Sequence, residues 1–133
     1  MVMPAPLVFT VPAESESVPL GRRRLARWMP KHFRCGEDAL MVLSELLTNA
    51  VRHGAAGRSV EVLVECRDSG LQVRVDNEGG GVPMPRSVLA SDEHGHGLVL
   101  VAGLSREWSY QQRSTGPDCS ITSAWAIVPY ESS

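Results

Sequence analysis

Three polar residues spaced four positions apart, Glu45, Asn49 and His53, stand near the middle of the 133-residue chain. The segment 39–51 around them repeats apolar residues at helical spacing, which predicts an amphipathic helix with the three polar side chains rising along one flank. A carboxylate placed there can take a proton from an attacking hydroxyl, and an amide oxygen can complete the ligand shell of Mg²⁺. The imidazole has two open interpretations, a ligand contact or an interaction with the last carbonyls of the helix, which Gly54 is expected to end. The buried stripe is predicted to contain Ala39, Leu43, Leu46, Leu47 and Ala50.

Two glycine-rich segments follow this helix at a distance. Residues 77–81, Asn-Glu-Gly-Gly-Gly, close an alternating strand, and residues 95–98, Gly-His-Gly-Leu, open a second helical pattern. Glycines let the backbone approach a ligand closely, and free N–H groups at a helix start suit phosphate. The polar stretch 78–93 between them is a long loop of the kind usually kept for function. Together these segments favour an anion-binding site.

Helix, glycine-rich strand end and Gly-x-Gly helix start, in this order, resemble the N, G1 and G2 boxes of the GHKL ATPase superfamily. Within it, the chain is similar to the anti-sigma factor serine/threonine kinases of the sporulation and general-stress type, widespread in actinomycetes. The resemblance covers nearly the whole chain. It implies a domain that binds ATP and Mg²⁺, and that sequesters a sigma factor or phosphorylates a serine of an anti-anti-sigma antagonist. It also implies that a homodimer can form.

The resemblance assigns roles to individual residues. Glu45 is the base that orients or deprotonates the serine hydroxyl, and Asn49 is the magnesium ligand. Ser123 matches a Thr or Ser that the family carries two residues before a Trp, here Trp125, although a serine satisfied within the sheet is an equal alternative. The implied nucleotide contacts are Asn49, His53, Asn77, Gly79, Gly81, His94, Gly95, His96, Gly97, Leu98 and Ser123.

Asn77 stands where the family carries the aspartate that accepts a hydrogen bond from the adenine amino group. Strand alternation places Asn77 on the same face as Val73 and Val75, and Asp76 on the opposite face. We therefore expect Asn77 to face the base and adenine to be bound more weakly, because the amide lacks a charge. A bulged turn that brings Asp76 inward is the alternative.

A second departure lies before Gly95, where the sporulation-type kinases usually carry an arginine. Residues 92–94, Asp-Glu-His, occupy that place, and His94 and His96 can substitute in part because protonated imidazole donates to phosphate. Both departures leave open a second hypothesis, a nucleotide-binding interaction module without kinase activity. A third, a sensor histidine kinase fragment, has no phospho-acceptor helix or sensor segment to support it.

The elements that must position these residues follow the order β-α-α-β-β-loop-α-β-β, with a last hairpin from residues 108–112 and 121–128. This order predicts an α+β fold, with helices on one face of a mixed, mainly antiparallel sheet. The layered sandwich of the superfamily, the Bergerat fold, has this form. We expect one domain over residues 1–133, with an ordered core of about residues 7–130. Trp108 and Trp125 are predicted to be core aromatics.

Composition bounds the remaining functions. The chain has 43% hydrophobic and 21% charged residues and a formal net charge of −2, which gives no case for a nucleic-acid or membrane binder. Three widely spaced cysteines and the lack of a secretory leader pattern favour reduced thiols in a cytoplasm. The residues 22–24, Arg-Arg-Arg, spread around a helix and therefore predict a solvated face or a partner contact.

Overall fold

A computed structural model describes residues 3–53, 58–80, 95–117 and 119–131 of the chain. The helices and strands within these ranges follow one another in the order predicted from the sequence. They are β1 (Leu7–Pro12), α1 (Ser17–Trp28), α2 (Gly36–His53), β2 (Ser59–Arg67), β3 (Gly70–Gly80), α3 (Gly95–Leu104), β4 (Glu107–Gly116) and β5 (Cys119–Val128).

The five strands form one sheet in the order β1-β2-β3-β5-β4. Each neighbouring pair in the described ranges is antiparallel, and β5 lies between β3 and β4. The helices cover one face of this sheet, with α2 packed against β3 and flanked by α1 and α3. The prediction of helices on one face of a mainly antiparallel sheet is therefore confirmed.

Helix α2 owes its position to the apolar stripe on one of its sides. All five residues predicted for that stripe are buried, and Leu43 and Leu47 are completely shielded from solvent. Glu37 and Asp38 lie in the first turn, where their charges complement the helix dipole. The stripe fixes which flank of α2 lies at the boundary between core and solvent, and therefore where Glu45 and Asn49 stand.

Helix α1 lies against α2 at Gly21. A Cβ at this position would come within 2.5 Å of Leu47 Cδ1, so the absence of a side chain permits the close approach. Arg22 and Arg23 are exposed, while the Arg24 guanidinium lies 4.8 Å from the centre of the Phe9 ring. The arginines are thus distributed around the helix, and all three are exposed to solvent.

The second face of the sheet carries no helix within the described residues. Val8 is exposed there, and Leu63 and Trp125 are half-buried. The prediction of a core position is wrong for Trp125, because Ala124 and Ala126 point to the helix layer in its place. Trp108 is half-buried and packs against the core cluster, as predicted. No helix in the described ranges is long and apolar enough to cross a bilayer.

Candidate functional site

The helical side of the candidate site is the second half of α2. Asn49 is 9% exposed, whereas Glu45, one turn earlier, is half-exposed. Two hydroxyls nearby are used within the helix, since Ser44 Oγ donates to the Leu40 carbonyl at 2.8 Å and Thr48 Oγ1 donates to the Ser44 carbonyl at 2.7 Å. This flank of α2 therefore offers a carboxylate at the solvent boundary and an amide just beneath it.

The strand side of the site is the end of β3. Val75 and Asn77 point into the helix layer, and Asn77 is only 4% exposed. Asp76 points the other way, and its Oδ2 accepts from Arg74 Nη2 at 3.1 Å. The pairing of β3 with β5 runs in unbroken register from Leu71 to Gly80. The orientation that alternation predicts for Asn77 is confirmed, and no bulge brings Asp76 inward.

Asn49 and Asn77 line one crevice between α2 and the sheet. Its other lining residues are Leu46, Ala50, Val75, Tyr110, Thr122 and Ala124. The crevice as it stands has no room for a water molecule, so a ligand base enters only when its walls separate. The sequence prediction thus holds for the proximity of the two amides, while the space for a ligand is closed.

The Asn77 amide is unsatisfied in this closed crevice. Its Nδ2 has no hydrogen-bond partner among the described residues. A buried polar group without a partner costs about 1–3 kcal/mol, so native proteins rarely keep one without use. An aromatic base bearing hydrogen-bonding groups on its edge would supply the missing partner. The donor set of the crevice therefore fits a nucleotide base.

Tyr110 of β4 and Thr122 of β5 complete this wall and were not predicted from the sequence. The Tyr110 hydroxyl is hydrogen-bonded to Thr122, and Gln112, also on β4, donates from Nε2 to Thr122 Oγ1 at 3.4 Å. Burial raises the pKa of Tyr110, and the bond from Thr122 partly offsets that rise. The sequence pattern that could have predicted Thr122 is the alternation of small residues along β5, which places Thr122 on the same face as Ala124 and Ala126.

Ser123 does not share the crevice. It pairs with Asp76 across the β3–β5 ladder and therefore lies on the opposite face of the sheet from Asn49 and Asn77. The predicted phosphate contact of Ser123 does not fit this placement. Thr122, its neighbour in the chain, is the hydroxyl residue of β5 that lines the crevice.

The remaining predicted contacts fall at the edges of the described ranges. Gly79 continues β3 and pairs with Ser120, and His53 ends α2 half-buried. The backbone of α3 begins at Gly95, so residues 95–98, which include His96, Gly97 and Leu98, form its first turn as predicted. Gly81 and His94 lie outside the described residues.

A larger cavity, about 740 Å³, lies on the uncovered face of the sheet. Among its lining residues, Arg74 and Asp76 pair with each other at 3.1 Å, and Glu78 pairs at 3.3 Å with Arg58, which does not line the cavity. Asn77 and Tyr110 line this cavity as well as the crevice, but Glu45 and Asn49 do not line it. We therefore assign the candidate site to the crevice, where an unpaired buried amide and the polar flank of α2 converge.

A magnesium ion at the crevice would depend on few protein ligands. The described residues contain no group of three or more His, Cys, Asp or Glu side chains placed to hold a metal. Mg²⁺ usually retains several waters and takes phosphate oxygens as ligands, so one amide oxygen, that of Asn49, is sufficient.

Comparison with known proteins identifies the family and the fold of the domain. A sequence profile of the histidine kinase-like ATPase domain matches residues 11–122. No curated protein matches the chain. The histidine kinase domain of the Erythrobacter litoralis EL346 blue-light activated histidine kinase is similar in fold, with a TM-score of 0.52 and 15% identity over 89% of this chain and 62% of that one.

A second similar structure is the Acinetobacter baumannii histidine kinase AdeS, with a TM-score of 0.49 and 13% identity over 96% of this chain and 69% of that one. The profile match spans most of the chain and includes Asn49 and Asn77, but it leaves out the first four residues of β1 and the last six residues of β5. The chain belongs to the family of histidine kinase-like ATPase domains.

Proposed function

We propose that this domain is an anti-sigma regulatory factor that binds Mg·ATP and transfers its γ-phosphate to a serine of an anti-anti-sigma antagonist. The observation that carries the nucleotide part is the pair of amides in one crevice, Asn49 and Asn77, the second with an unpartnered nitrogen. The antagonist and the sigma factor come from the family resemblance.

In this proposal the base enters between α2 and the ends of β3 and β5. The Asn77 carboxamide accepts from the adenine amino group and donates to the neighbouring ring nitrogen, which satisfies Nδ2. The triphosphate then extends toward the first turn of α3, where backbone N–H groups favour negative charge. Asn49 supplies an oxygen to the magnesium ion that neutralises the phosphates.

Glu45 stands one turn before Asn49 and carries the transfer step. Its carboxylate accepts the proton of the partner serine hydroxyl, while the serine oxygen forms a bond to the γ-phosphorus. The bond between the γ-phosphorus and the β–γ bridging oxygen breaks, and ADP leaves with that oxygen. The half-exposed position of Glu45 suits this role because a protein substrate must reach it from solvent.

The partner surface is proposed to include α1. Arg22, Arg23 and Arg27 are exposed along its solvent side, and they give an acidic partner surface a place to dock. A second copy of the chain is a further partner in this proposal, because the family resemblance implies a homodimer.

Calorimetry with ATP and Mg²⁺ tests the binding part. Asn49→Ala should remove the magnesium dependence of binding, whereas Ser123→Ala, on the other face of the sheet, should leave binding unchanged. Loss of binding in Ser123→Ala with full binding in Asn49→Ala would place the nucleotide on the wrong face for this proposal.

Labelled ATP and candidate antagonist proteins test the transfer part, since phosphoserine should form on the antagonist. A second function, partner binding without transfer, is favoured by the carboxamide at position 77 in place of a carboxylate. It predicts a stable complex with the sigma factor or antagonist, dependent on ATP, in which no phosphoserine forms.

A further inference from the structure

The amide nitrogen of Asn77 is buried and has no hydrogen-bond partner among the described residues. The residue directly opposite on β5, Thr122, is already bonded to Gln112 and Tyr110. The wall of the crevice therefore does not hold the nitrogen of this amide, which is available to a ligand.

A carboxamide differs from a carboxylate because it both donates and accepts. The edge of adenine presents an amino donor at position 6 and an acceptor nitrogen beside it. A 6-oxopurine such as hypoxanthine presents the reverse, a carbonyl acceptor and an N–H donor. Asn77 can pair with both groups of either edge by exchanging the positions of its oxygen and nitrogen, whereas a carboxylate only accepts and can pair with just one group of either edge.

We propose that this site accepts 6-oxopurine nucleoside triphosphates as well as ATP. This inference rests on the proposed nucleotide binding in the crevice and concerns only which base is bound there. The two pairings use the same two atoms of Asn77 and involve only neutral partners, so their strengths are similar. We expect the dissociation constants of ITP and ATP to differ by less than about tenfold, which corresponds to one or two neutral hydrogen bonds. ITP is the better probe than GTP because it adds no amino group to the ring.

The test is displacement of a fluorescent ribose-labelled ATP analogue, with Mg²⁺ present, by ATP and by ITP. The wild-type protein and Asn77→Ala are compared. In the wild type the ITP-to-ATP ratio of dissociation constants should stay below about tenfold, and Asn77→Ala should weaken ATP and ITP by a similar factor, because each nucleotide loses the same two neutral hydrogen bonds. A ratio above tenfold in the wild type, or weakening of only one nucleotide in Asn77→Ala, would overturn the inference.

A second variant serves as the control. Asn49→Ala should weaken both nucleotides by the same factor and leave the ratio unchanged, and an altered ratio would show that the base is selected elsewhere. Undiminished binding of both nucleotides in Asn77→Ala would overturn the role given to Asn77. If Asn77→Ala does not fold, as judged by circular dichroism, the wild-type ratio alone decides, since a value above tenfold overturns the inference.

The outcomes also separate this inference from the proposed function. If the labelled analogue and ATP do not bind the wild type at all, the proposed function fails and this inference fails with it. If ATP binds and ITP does not, only the inference fails.

Discussion

Replacing Asn77 with valine should stabilise the protein without ligand and weaken its response to nucleotide. The Asn77 side chain is 4% exposed, and its nitrogen has no partner among the described residues. Removing an unsatisfied buried amide recovers part of a penalty of about 1–3 kcal/mol, and valine suits a buried strand position. We expect the free energy of unfolding to rise by about 1–2 kcal/mol. In a domain of this size, each kcal/mol raises the melting temperature by about 3–6 °C.

Thr122→Val is the matched control, because Thr122 lies directly opposite Asn77 and on the same face of the sheet. Its hydroxyl is hydrogen-bonded to Gln112 and Tyr110, so replacing Thr122 with valine should lower the free energy of unfolding by about 1 kcal/mol or more. The two valine variants should therefore shift stability in opposite directions.

The assay is urea unfolding followed by circular dichroism, with and without Mg·ATP. At about 100 times the wild-type dissociation constant, ATP should stabilise the wild type by about 2.7 kcal/mol and Asn77→Val by about 1.4 kcal/mol, because losing one or two neutral hydrogen bonds weakens binding about tenfold. The variant is thus expected to be the more stable protein without ATP and to gain about half as much stability from ATP. A loss of 1 kcal/mol or more in Asn77→Val without ligand would refute the reasoning, because it would mean that the native amide is already satisfied.

Three other predictions follow from the same structure. Glu45→Gln should retain ATP affinity in calorimetry but lose at least about 100-fold in phosphate transfer to an antagonist, and survival of transfer would exclude Glu45 as the base. Gly70→Ala should lower the free energy of unfolding by more than about 1 kcal/mol, because Gly70 has φ +148° and an added Cβ would meet the Val128 carbonyl. The control is Gly103→Ala, where nothing lies within 4 Å of the added Cβ, and this change should be neutral or stabilising in the same urea titration. Burial, chiefly through desolvation, raises the pKa of Tyr130 from the usual 10 to about 12. The contribution of the neutral hydroxyl to stability is therefore complete below pH 10 and is lost as the pH rises toward 12. Tyr130→Phe should make the melting temperature fall less steeply between these pH values, and an unchanged slope would contradict this assignment.

The parts of the fold that the sequence predicts well are those where burial and periodicity agree. Helix α2 has a single apolar stripe, so its buried residues and its polar flank followed from spacing alone. Strand β3 alternates cleanly, and this was enough to orient Asn77 inward and Asp76 outward. In both elements a shift by one residue would expose apolar side chains, which makes the register easy to recognise.

The buried face of strand β5 was harder to predict, because apolar residues stand on both of its faces. Trp125 and Ala124 are equally plausible core residues in a periodicity argument, and only the packed sheet shows that the small residues face the helices. The prediction from the spacing of Ser123 and Trp125 therefore placed the phosphate-contacting hydroxyl on the wrong face of the sheet. Strand β4 also extends to Gly116, beyond the predicted end at residue 112, because its polar second half is held by backbone pairing with β5.

The closed state of the crevice was not predictable from residue types. Sequence spacing brings Asn49 and Asn77 to the same side of the core, but it does not determine how closely the helix approaches the sheet. That distance depends on the packing of small residues such as Ala50 and Ala124, which line the crevice on its two sides.

The position of β5 in the sheet has a consequence for synthesis of the chain. β3 pairs with β2 on one side and β5 on the other, yet all of α3 and β4 lies between β3 and β5 in the sequence. While the ribosome makes those elements, the edge of β3 that later pairs with β5 has no permanent partner, and unpaired strand edges recruit other chains. We expect a fragment ending at residue 118 to be recovered largely as aggregate, and the nascent chain to need chaperone protection until β5 emerges.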